Sequence, residues 1–449
     1  MSSWKKVTLE DISESINTGL DAIRRAPIVD FETDIKCLRI QDISQNKPIE
    51  SWGFTEVKNT DYSKFRLMKD DIIMARTCST GICFLAKQDL PAVFNNGLAR
   101  IRLKKDIAYP TYVYYVFKSK SFISYIDGIS GGTSVQLNMK IGDLSKYSFD
   151  LPPLNIQKEI ANKLSDLDKK IQLNTQINQT LEQIAQTIFK SWFIDFDPVH
   201  AKANALASGQ TAEQATQAAM AVISGKNTQE LHRLQTANPE QYQQLWEIAE
   251  AFPSGFSGYK NLGEIPIGWN VLTFKDFISE SKEKIGSLED VPEYSVGNEG
   301  IYPRSEKYNK SLSKTPEKNK VVRIGDLVFG MGSKTLNWGI MNDEIGSVSP
   351  AYFVYRIFTN INYIYLNKYI KAKEYDFQNL IKPTSRQGQS VDKEMFLKKE
   401  IYVPNEYLLN IYLNKLKEID SLVYSYTTEV LILEQIRDEL LPKLLSGEI

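Results

Sequence analysis

Two segments of the chain repeat apolar residues at alternating spacings of three and four positions, one over residues 160–192 and the other over residues 412–444. Such spacings are typical of a helix that packs lengthwise against a second helix. Each segment would form a helix of roughly 60 Å, which needs another long helix to cover its apolar stripe. Asn174 and Asn178 interrupt the first seam, where amides cost stability but fix register. The first seam contains Ile160, Leu164, Leu167, Ile171, Asn174, Asn178, Leu181, Ala185, Ile188 and Trp192, and the second contains Tyr412, Leu416, Ile419, Val423, Tyr426, Val430, Leu433, Leu440 and Leu444.

These predicted helices are copies of one sequence. A displacement of 252 residues brings the Asn-Lys-Leu of residues 162–164 onto residues 414–416, and the Leu-Glu-Gln-Ile of residues 181–184 onto residues 433–436, with no gap between the matches. Each copy follows a segment of about 140–150 residues, so the order is module, helix, module, helix. Because a whole module separates the helices, an antiparallel pair is the natural arrangement. The chain is therefore expected to have an internal pseudo-two-fold repeat.

The two modules contain short alternating apolar and polar runs between turn residues, which are typical of β-strands. Helical patterns over residues 109–127 and 362–380 interrupt the strands, and this mixture indicates an α+β fold. Matching landmarks indicate that the modules are diverged copies. The landmarks are Trp4, Thr8 and Asp11 against Trp269, Thr273 and Asp276, residues 69–74 against 324–329, residues 99–103 against 354–358, and residues 131–136 against 387–392.

A connector over residues 198–262 differs from the modules in composition, because nine of the residues from 201 to 223 are alanine. Thr211 and Gln214 have the spacing of a capping box at a helix start. A second helix is predicted from Asn238 to Ala251. The connector is interpreted either as a helical spacer or as a docking surface for a partner subunit, and the sequence leaves both open.

The composition is that of a soluble globular protein, with 42% hydrophobic and 24% charged residues. No apolar run has the length that crosses a bilayer, and three cysteines form no disulfide framework, which favours the reducing cytoplasm. The only histidines, His200 and His232, lie in the connector, so chemistry that depends on histidine is nearly excluded.

The net charge of −1 argues against a protein coated in positive potential, yet each module has a local basic excess. This excess is expected if each module contacts phosphate separately, although a solvated charged face is the alternative. The basic residues are Arg100, Arg102, Lys104, Lys105, Lys118 and Lys120 in residues 98–120, and Arg304, Lys307, Lys310, Lys314, Lys318, Lys320 and Arg323 in residues 300–323.

Two short motifs resemble catalytic signatures without completing them. The Asp-Leu-Pro-Pro-Leu of residues 150–154 has a leucine inside the Asp-Pro-Pro-Tyr type of adenine methyltransferase motif, and no aromatic follows it. The Gly-Met-Gly-Ser-Lys of residues 330–334 lacks the spacing of a phosphate-binding loop. With no complete S-adenosylmethionine or ATP motif, the chain is predicted to be non-catalytic.

Four motifs resemble those of the specificity subunits of type I restriction-modification systems. They are the Pro-Pro-Leu that opens the first helix, the end of that helix, the start of the second module and the C-terminal segment, at residues 151–161, 193–199, 263–269 and 440–449. One departure is the Asn-Glu-Tyr of residues 405–407, where a second Pro-Leu-x-x-Gln is expected, so the second helix is expected to begin differently.

The resemblance implies two target recognition domains, at residues 1–152 (module 1) and 263–404 (module 2). They would be separated by antiparallel coiled-coil spacer helices at residues 153–197 and 405–449, with the connector at residues 198–262. It also implies double-stranded DNA, two methyltransferase subunits and translocase-nuclease subunits as partners. S-adenosylmethionine, ATP and Mg would then be bound by those partners and not by this chain. The alternative is a bilobal coiled-coil scaffold that binds proteins without DNA.

Polar side chains in corresponding loops of the two modules are the candidate DNA contacts. Arg, Asn and Gln can form paired hydrogen bonds with base edges, and lysines would set affinity through phosphate. The candidates in module 1 are Arg76, Thr77, Ser79, Asn95, Asn96, Thr133, Ser134 and Gln136. Those in module 2 are Lys307, Lys310, Lys314, Lys334, Thr335, Asn337, Thr384, Ser385, Arg386 and Gln387.

Overall fold

The computed structural model describes residues 4–77, 79–130, 139–259, 261–297, 300–308, 315–330, 337–378, 380–383 and 389–448. The chain forms two compact units, unit 1 of Met1–Gln179 with Val423–Ile449 and unit 2 of Thr180–Leu422. Both units mix strands and helices, as the sequence predicted for an α+β protein. Within the described ranges, no helix has the length and apolar character that spanning a lipid bilayer requires.

Unit 1 contains ten strands and six short helices before the first long helix, within the residues that the structure describes. The strands are β1 (Lys5–Thr8), β2 (Ser13–Thr18), β3 (Ile28–Val29), β4 (Lys36–Leu38), β5 (Gly53–Thr55), β6 (Ile72–Ala75), β7 (Cys83–Leu85), β8 (Ala92–Phe94), β9 (Leu98–Leu103) and β10 (Ser148–Leu151). The helices are α1 (Leu9–Ile12), α2 (Ile40–Ser44), α3 (Asn59–Phe65), α4 (Pro110–Val116), α5 (Lys120–Ser130), α6 (Ile141–Leu144) and the long α7 (Leu154–Phe193).

Unit 2 begins within α7 and continues through the connector into the second set of strands. Its helices are α8 (Asp197–Ala207), α9 (Ala212–Ser224), α10 (Thr228–Ala237), α11 (Pro239–Glu250), α12 (Tyr363–Ala372), α13 (Glu374–Gln378), α14 (Lys393–Lys398) and the long α15 (Glu406–Ser446). Its strands are β11 (Phe256–Tyr259), β12 (Gly263–Pro266), β13 (Asn270–Thr273), β14 (Ile278–Ser281), β15 (Tyr294–Gly297), β16 (Gly300–Pro303), β17 (Lys320–Arg323), β18 (Leu327–Phe329), β19 (Trp338–Ile340), β20 (Ile345–Val348), β21 (Phe353–Ile357), β22 (Ile381–Pro383), β23 (Gln389–Val391) and β24 (Glu400–Val403).

The same four-stranded antiparallel sheet occurs in both units. Its strand order is β2-β9-β6-β7 in unit 1 and β14-β21-β18-β19 in unit 2. An antiparallel strand pair also joins the two ends of each module, β1 with β10 and β13 with β24. The remaining strands differ, because unit 1 has a second four-stranded sheet, β3-β5-β4-β8, and unit 2 has the separate pairs β15-β16 and β17-β20. The duplication predicted from the landmarks is thus visible in one sheet and its closing strands.

Each repeated sheet follows a threonine that caps a short helical turn. Thr8 and its counterpart Thr273 each donate a hydroxyl hydrogen bond to an aspartate three residues later, Asp11 or Asp276, at 2.7 and 2.5 Å. The aspartate in turn accepts from the backbone amide of its threonine. The matching Thr-x-x-Asp landmarks therefore mark the same local structure twice.

One landmark alignment is wrong by one residue. The sequence matched residues 99–103 with residues 354–358, which pairs Ile101 with Arg356. In the structure, Ile101 lies opposite Ile72, and its counterpart Tyr355 lies opposite Leu327. Arg102 is consequently the counterpart of Arg356. A shift of one residue moves every side chain of a strand to the opposite face of the sheet. The correct alignment of the two strands is therefore the one that places core residues on the same face, and similarity of the sequences alone does not give it.

The two helical patterns at residues 109–127 and 362–380 are each divided in two, which corrects the prediction of single helices. In unit 1, the hydroxyl of Ser119 accepts a hydrogen bond of 3.2 Å from the amide of Phe122, and this cap starts α5. In unit 2, α12 ends at Ala372, and α13 starts at Glu374. A periodic apolar pattern continues across such a break because both helices bury the same side.

The long helices have 40 residues (α7) and 41 residues (α15). The second begins at the equivalent position, since Glu406 lies 252 residues after Leu154, and the expected difference is limited to the cap, where Asn405 replaces Pro153. The side chain of Asn405 accepts a hydrogen bond of 2.8 Å from the amide of Leu408 and so caps the start of α15. The seam positions are buried or half-buried along both helices, as their spacing predicted.

Within unit 1, the contacts between α7 and α15 run in opposite chain directions. Lys170 forms an ion pair of 3.3 Å with Glu429, and farther along α7 the amide of Asn178 donates to the hydroxyl of Thr427 at 3.0 Å. Leu441 and Leu444 of α15 are buried in the unit 1 core.

Within unit 2, the two helices share an aromatic core with the strands. Phe189 and Phe193 of α7 pack on Tyr412 of α15 with ring centroids 5.7 and 5.0 Å apart, and Phe193 also contacts Tyr365 of α12. Large aromatic side chains contribute strongly to core energetics. The core of unit 2 therefore includes one end of each long helix.

The connector is helical throughout most of its length. The capping box at Thr211 is confirmed, since the hydroxyl of Thr211 accepts from the amide of Gln214. The predicted second helix is confirmed as α11, capped by Asn238. The sequence interpretation lacked α8 and α10. The ammonium group of Lys202, which is buried, donates to the carbonyl oxygens of Ala249 and Phe252 at 3.0 and 2.7 Å and so ties α8 to the end of α11.

Candidate nucleic-acid interface

The described candidate contacts of unit 1 gather at one edge of the repeated sheet, where β2 and β6 end and β9 begins. Arg76 directly follows β6. Its guanidinium donates to the carbonyl oxygen of Met139 at 3.1 Å, to the hydroxyl of Thr18 at 3.3 Å and to the carbonyl oxygen of Asn96 at 3.3 Å. Met139 is the first described residue after the candidates Thr133, Ser134 and Gln136, which lie outside the described residues. Arg76 therefore joins its own loop to Thr18, to the turn at Asn96 and to Met139.

The environment of Arg76 is partly desolvated. Burial lowers its pKa from the usual value, although a guanidinium stays charged at neutral pH. Because the guanidinium of Arg76 already donates to three oxygen atoms, it stabilises the arrangement of the surrounding loops. Its predicted role as a direct base reader stays a prediction.

The turn at Asn95 and Asn96 is fixed by close backbone packing. The side-chain oxygen of Asn95 accepts from the amide of Gly97 at 3.2 Å. A Cβ atom on Gly19 would lie 2.3 Å from the carbonyl oxygen of Asn95, so only glycine permits β2 to approach this turn. Asn96 is exposed at the tip. The side chain of Asn96 is therefore exposed to solvent on a turn whose backbone is closely packed.

Thr77 and Ser79 are half-buried beside Arg76. The amide of Ser79 donates to the carbonyl oxygen of Thr77 at 2.7 Å, which closes a tight turn. The turn follows β6, and Asn96 lies just before the neighbouring antiparallel strand β9. Thr77 and Ser79 therefore lie at the same edge of the sheet as Asn96.

Five of the six basic residues in residues 98–120 have hydrogen-bond or ion-pair acceptors inside unit 1, and their contact with phosphate stays a prediction. Arg100 is 3% exposed and donates to the carbonyl oxygens of Lys64 and Arg66 at 3.2 Å. Four further groups have internal acceptors: Arg102 with Asp71, Lys104 with the Asp11 carbonyl oxygen, Lys105 with Asp70, and Lys118 with Asp168. A count of basic residues could not reveal this, because the acceptors are distant in sequence.

In unit 2, the corresponding sheet edge carries cations on aromatic rings. The Lys393 ammonium group lies 4.1 Å from the centre of the Phe353 ring and pairs with Glu280 at 2.9 Å. Lys320 donates to the carbonyl oxygen of Tyr352 at 2.6 Å, and burial lowers its pKa. Such cation–π contacts hold basic side chains in defined positions.

A second cationic group follows the β15-β16 hairpin. The Arg304 guanidinium lies 4.4 Å from the ring centre of Tyr308 and donates to the Ser295 hydroxyl at 3.1 Å. The Lys307 ammonium group lies 4.3 Å from the ring centre of Tyr302. Tyr308 is 48% exposed, so an aromatic face is available beside the charges. The sequence analysis named the basic residues here but missed Tyr302 and Tyr308 beside them, which were the available signal.

Of the remaining candidates in unit 2, Asn337 is half-buried, and its carbonyl oxygen accepts from the amide of Gly330 at 2.8 Å. This bond places Asn337 at the point where β18 ends and β19 begins. The other candidates fall outside the described residues: Lys310, Lys314, Lys334, Thr335, Thr384, Ser385, Arg386 and Gln387. Across the described part of the chain, no group of three or more His, Cys, Asp or Glu side chains has a geometry that could hold a metal ion.

The structure thus contains the same sheet twice, and polar and basic side chains lie at the corresponding edge of each copy. Such a protein has two related surfaces that carry different side chains. Comparison with known proteins identifies the family that has this arrangement. The family described as the type I restriction modification DNA specificity domain matches residues 1–183. The specificity subunit of the type I restriction enzyme HindI from Haemophilus influenzae is 31% identical over 480 aligned positions, which cover 100% of both chains. The chain therefore belongs to the family of type I restriction-modification specificity subunits, whose role is DNA recognition.

Further similarity is partial or structural. The MjaIX specificity subunit of Methanocaldococcus jannaschii is 35% identical over 130 residues, or 29% of each chain. The crystal structure of a type I S subunit from M. genitalium aligns with a TM-score of 0.49 and 14% identity over 99% of this chain and 96% of that one. Membership of the family implies a complex with methyltransferase and restriction subunits and with DNA, in which specificity subunits are generally non-catalytic.

Proposed function

We propose that the chain recognises an asymmetric, bipartite DNA site, with one half-site read by each module. The observation that supports this most strongly is the repeated sheet with unlike residues at the same edge. Before β9 this edge carries Asn96, and at the corresponding position before β21 it carries Pro350. A repeated scaffold gives both modules the same approach to a duplex, and unlike edges give them different sequence preferences. The half-sites should therefore differ, and the whole site should not be a palindrome.

The side chains divide into two roles. Polar groups at the sheet edges, such as Asn96 and Asn337, would read bases, since each good paired hydrogen bond contributes about 1–3 kcal/mol of discrimination. Cations such as Lys307 would contact phosphate and set affinity and salt dependence without setting sequence. The exposed ring of Tyr308 beside Arg304 suits stacking or sugar contact in the same surface.

The spacing of the half-sites would follow from the long helices. Two modules that contact the same groove on one face of a duplex need half-sites centred about 34–36 Å apart, one turn of DNA. Helices of 40 and 41 residues, roughly 60 Å at the usual rise per residue, have sufficient length for that separation. In this proposal residues 1–152 and 263–404 are the recognition domains, residues 153–197 and 405–449 are the coiled-coil spacers, and residues 198–262 connect them. Base pairs between the half-sites would be spanned and left unread.

The chain would tether the enzymes of its complex and perform no catalysis itself. Two methyltransferase subunits and translocase-nuclease subunits would bind S-adenosylmethionine, ATP and Mg. Each half-site would contain an adenine, on opposite strands, for a methyltransferase to flip out and modify. The helices and the connector are the surfaces that leave the sheet edges free for DNA.

Selection from a random duplex library, with the chain bound to its methyltransferase partner, tests this proposal. The expected result is two unlike motifs separated by a constant number of unread base pairs. Asn96→Ala should relax base preference in one motif and leave the other unchanged. Enrichment of one continuous motif, or no enrichment over random DNA, would overturn the proposal.

A further inference from the structure

One carboxylate of α7 joins three elements of unit 1. The Asp168 side chain accepts a hydrogen bond of 2.7 Å from the hydroxyl of Tyr115 in α4 and one of 3.0 Å from the guanidinium of Arg437 in α15. Lys118, which follows α4, lies 3.4 Å from the same carboxylate. Module 1, the first long helix and the second long helix therefore meet at Asp168.

The charges around this carboxylate are balanced so that it stays ionised. Burial alone would raise the pKa of Asp168, but Lys118, Tyr115 and Arg437 together lower it below its usual value. Burial and the neighbouring Asp168 raise the pKa of Tyr115, so its hydroxyl keeps its proton and remains a donor. The cluster is thus a charge-assisted hydrogen-bond network at neutral pH, the stronger class of hydrogen bond.

Comparison of the two copies of the repeat shows that this hydrogen-bond network occurs in unit 1, while the corresponding residues of unit 2 differ. A displacement of 252 residues carries Asp168 onto Asp420, and Arg437 corresponds in the same way to Ala185. Asp420 acts electrostatically on Lys368, whereas Ala185 is buried in the aromatic core of unit 2. At the place where unit 1 has a guanidinium between the helices, unit 2 has a methyl group.

The contacts between module and helices at this position consequently differ between the two units. In unit 2, rings such as Phe189 and Tyr412 pack without directional bonds. In unit 1, the hydrogen bonds at Asp168 require defined donor directions, because such bonds weaken steeply as the angle falls below about 120°. Apolar packing by Leu441 and Leu444 accompanies them but fixes direction less strictly.

We propose that Asp168 is a positioning residue that fixes the angle of module 1 on the helix pair and thereby the length of DNA spacer that the chain accepts. This inference rests on the proposed bipartite function. Loss of the network would leave the sheet edge of module 1 intact, so base preference within its half-site would persist. The distance from that half-site to the other would become variable.

The test uses the full chain with its methyltransferase partner and three duplexes that carry the selected half-sites with the native spacer, one base pair fewer and one base pair more. Asp168→Asn should reduce the preference for the native spacer about tenfold, which corresponds to about 1.4 kcal/mol. Tyr115→Phe removes one hydroxyl from the network without introducing a new group and should reduce the preference less. Asp420→Asn is the matched control in the repeat and should leave the preference unchanged.

The outcomes separate the two proposals. If wild type prefers the native spacer and both Asp168→Asn and Tyr115→Phe keep that preference in full, Asp168 has no positioning role. An equal loss of affinity on all three duplexes by a variant would show a role in stability alone, and this too would overturn the inference. If the wild-type complex is indifferent to spacer length, the bipartite function itself is contradicted.

Discussion

Asp71 accepts two hydrogen bonds of 2.7 Å from the guanidinium of Arg102 on the neighbouring strand. The pair recurs in unit 2, where Asp326 accepts bonds of 3.0 and 2.9 Å from Arg356. Asp71 is 1% exposed, and so is Asp326. A two-pronged ion pair at the same position of both sheets is one of the features that the duplication retains, with the strand order and the Thr-x-x-Asp caps.

Asp71→Asn should lower the free energy of unfolding of unit 1 by about 2–3 kcal/mol. Breaking a fully buried ion pair costs about 3–5 kcal/mol, and partial exposure of Arg102 reduces that figure. Urea unfolding, followed by hydrogen exchange in peptides of unit 1, measures the change. Asp70→Asn is the control, because its partner Lys105 is exposed and such pairs contribute at most about 1 kcal/mol. Equal losses for the two variants would contradict the assignment.

Asn174→Leu should stabilise unit 1. The Asn174 side chain is fully buried in the helix seam, and neither its nitrogen nor its oxygen has a hydrogen-bond partner in the described part of the chain. Removal of an unsatisfied buried polar group recovers about 1–3 kcal/mol. The shift of the urea midpoint checks this. Asn178→Leu should gain less, because it also removes the hydrogen bond to Thr427. A lower midpoint for Asn174→Leu would show that its amide has a partner in solution.

The buried thiol of Cys37 and the half-buried thiol of Cys83 should resist alkylation at neutral pH. Burial raises the pKa of each to about 12, and the reactive species is the thiolate. Since a raised pKa keeps the thiol protonated below that value, the labelling rate should keep rising with pH from 7 to 10 without a plateau. Mass spectrometry of the two peptides measures the rates, and unfolding in urea should accelerate both. A plateau near pH 9 in the folded protein would contradict the raised pKa of the thiol concerned.

Much of this fold could be predicted from the sequence, because the apolar repeat of the long helices extends over many turns and the helix caps require particular residue types. The seam from Ile160 to Trp192 repeats over many turns, and the Thr8 and Thr273 caps use the same few atoms. The division between α4 and α5 was not accessible, since Ser119 interrupts the backbone without interrupting the apolar pattern. The strand register of Arg102 depends on Asp71, which lies thirty-one residues away.

The candidate site was accessible in part for the same reason. The loops that contain Arg76 and Asn96 could be named from their polar residues, but the hydrogen bonds from Arg76 to Asn96 and to Met139 are tertiary contacts. The internal partners of Arg100 and Lys104 likewise exist only in the folded chain. The count of basic residues therefore could not show which of these side chains have acceptors within unit 1.

Lys307→Ala should weaken binding to all DNA sequences by a similar factor. A phosphate contact provides no base discrimination, and its loss should reduce the slope of log affinity against log salt by about one. Fluorescence titrations of the complex on selected and random duplexes, at several salt concentrations, measure both quantities. A changed sequence preference with an unchanged salt slope would assign Lys307 to base reading instead.

The central claim is that two unlike modules read two unlike half-sites across an unread spacer. A genome-wide map of N6-methyladenine, in a host that expresses this chain with its methyltransferase partner, tests it most directly. The account predicts one motif made of two different half-sites, separated by a fixed number of unspecified base pairs, with a modified adenine in each half on opposite strands. A continuous motif or a palindromic one would contradict it.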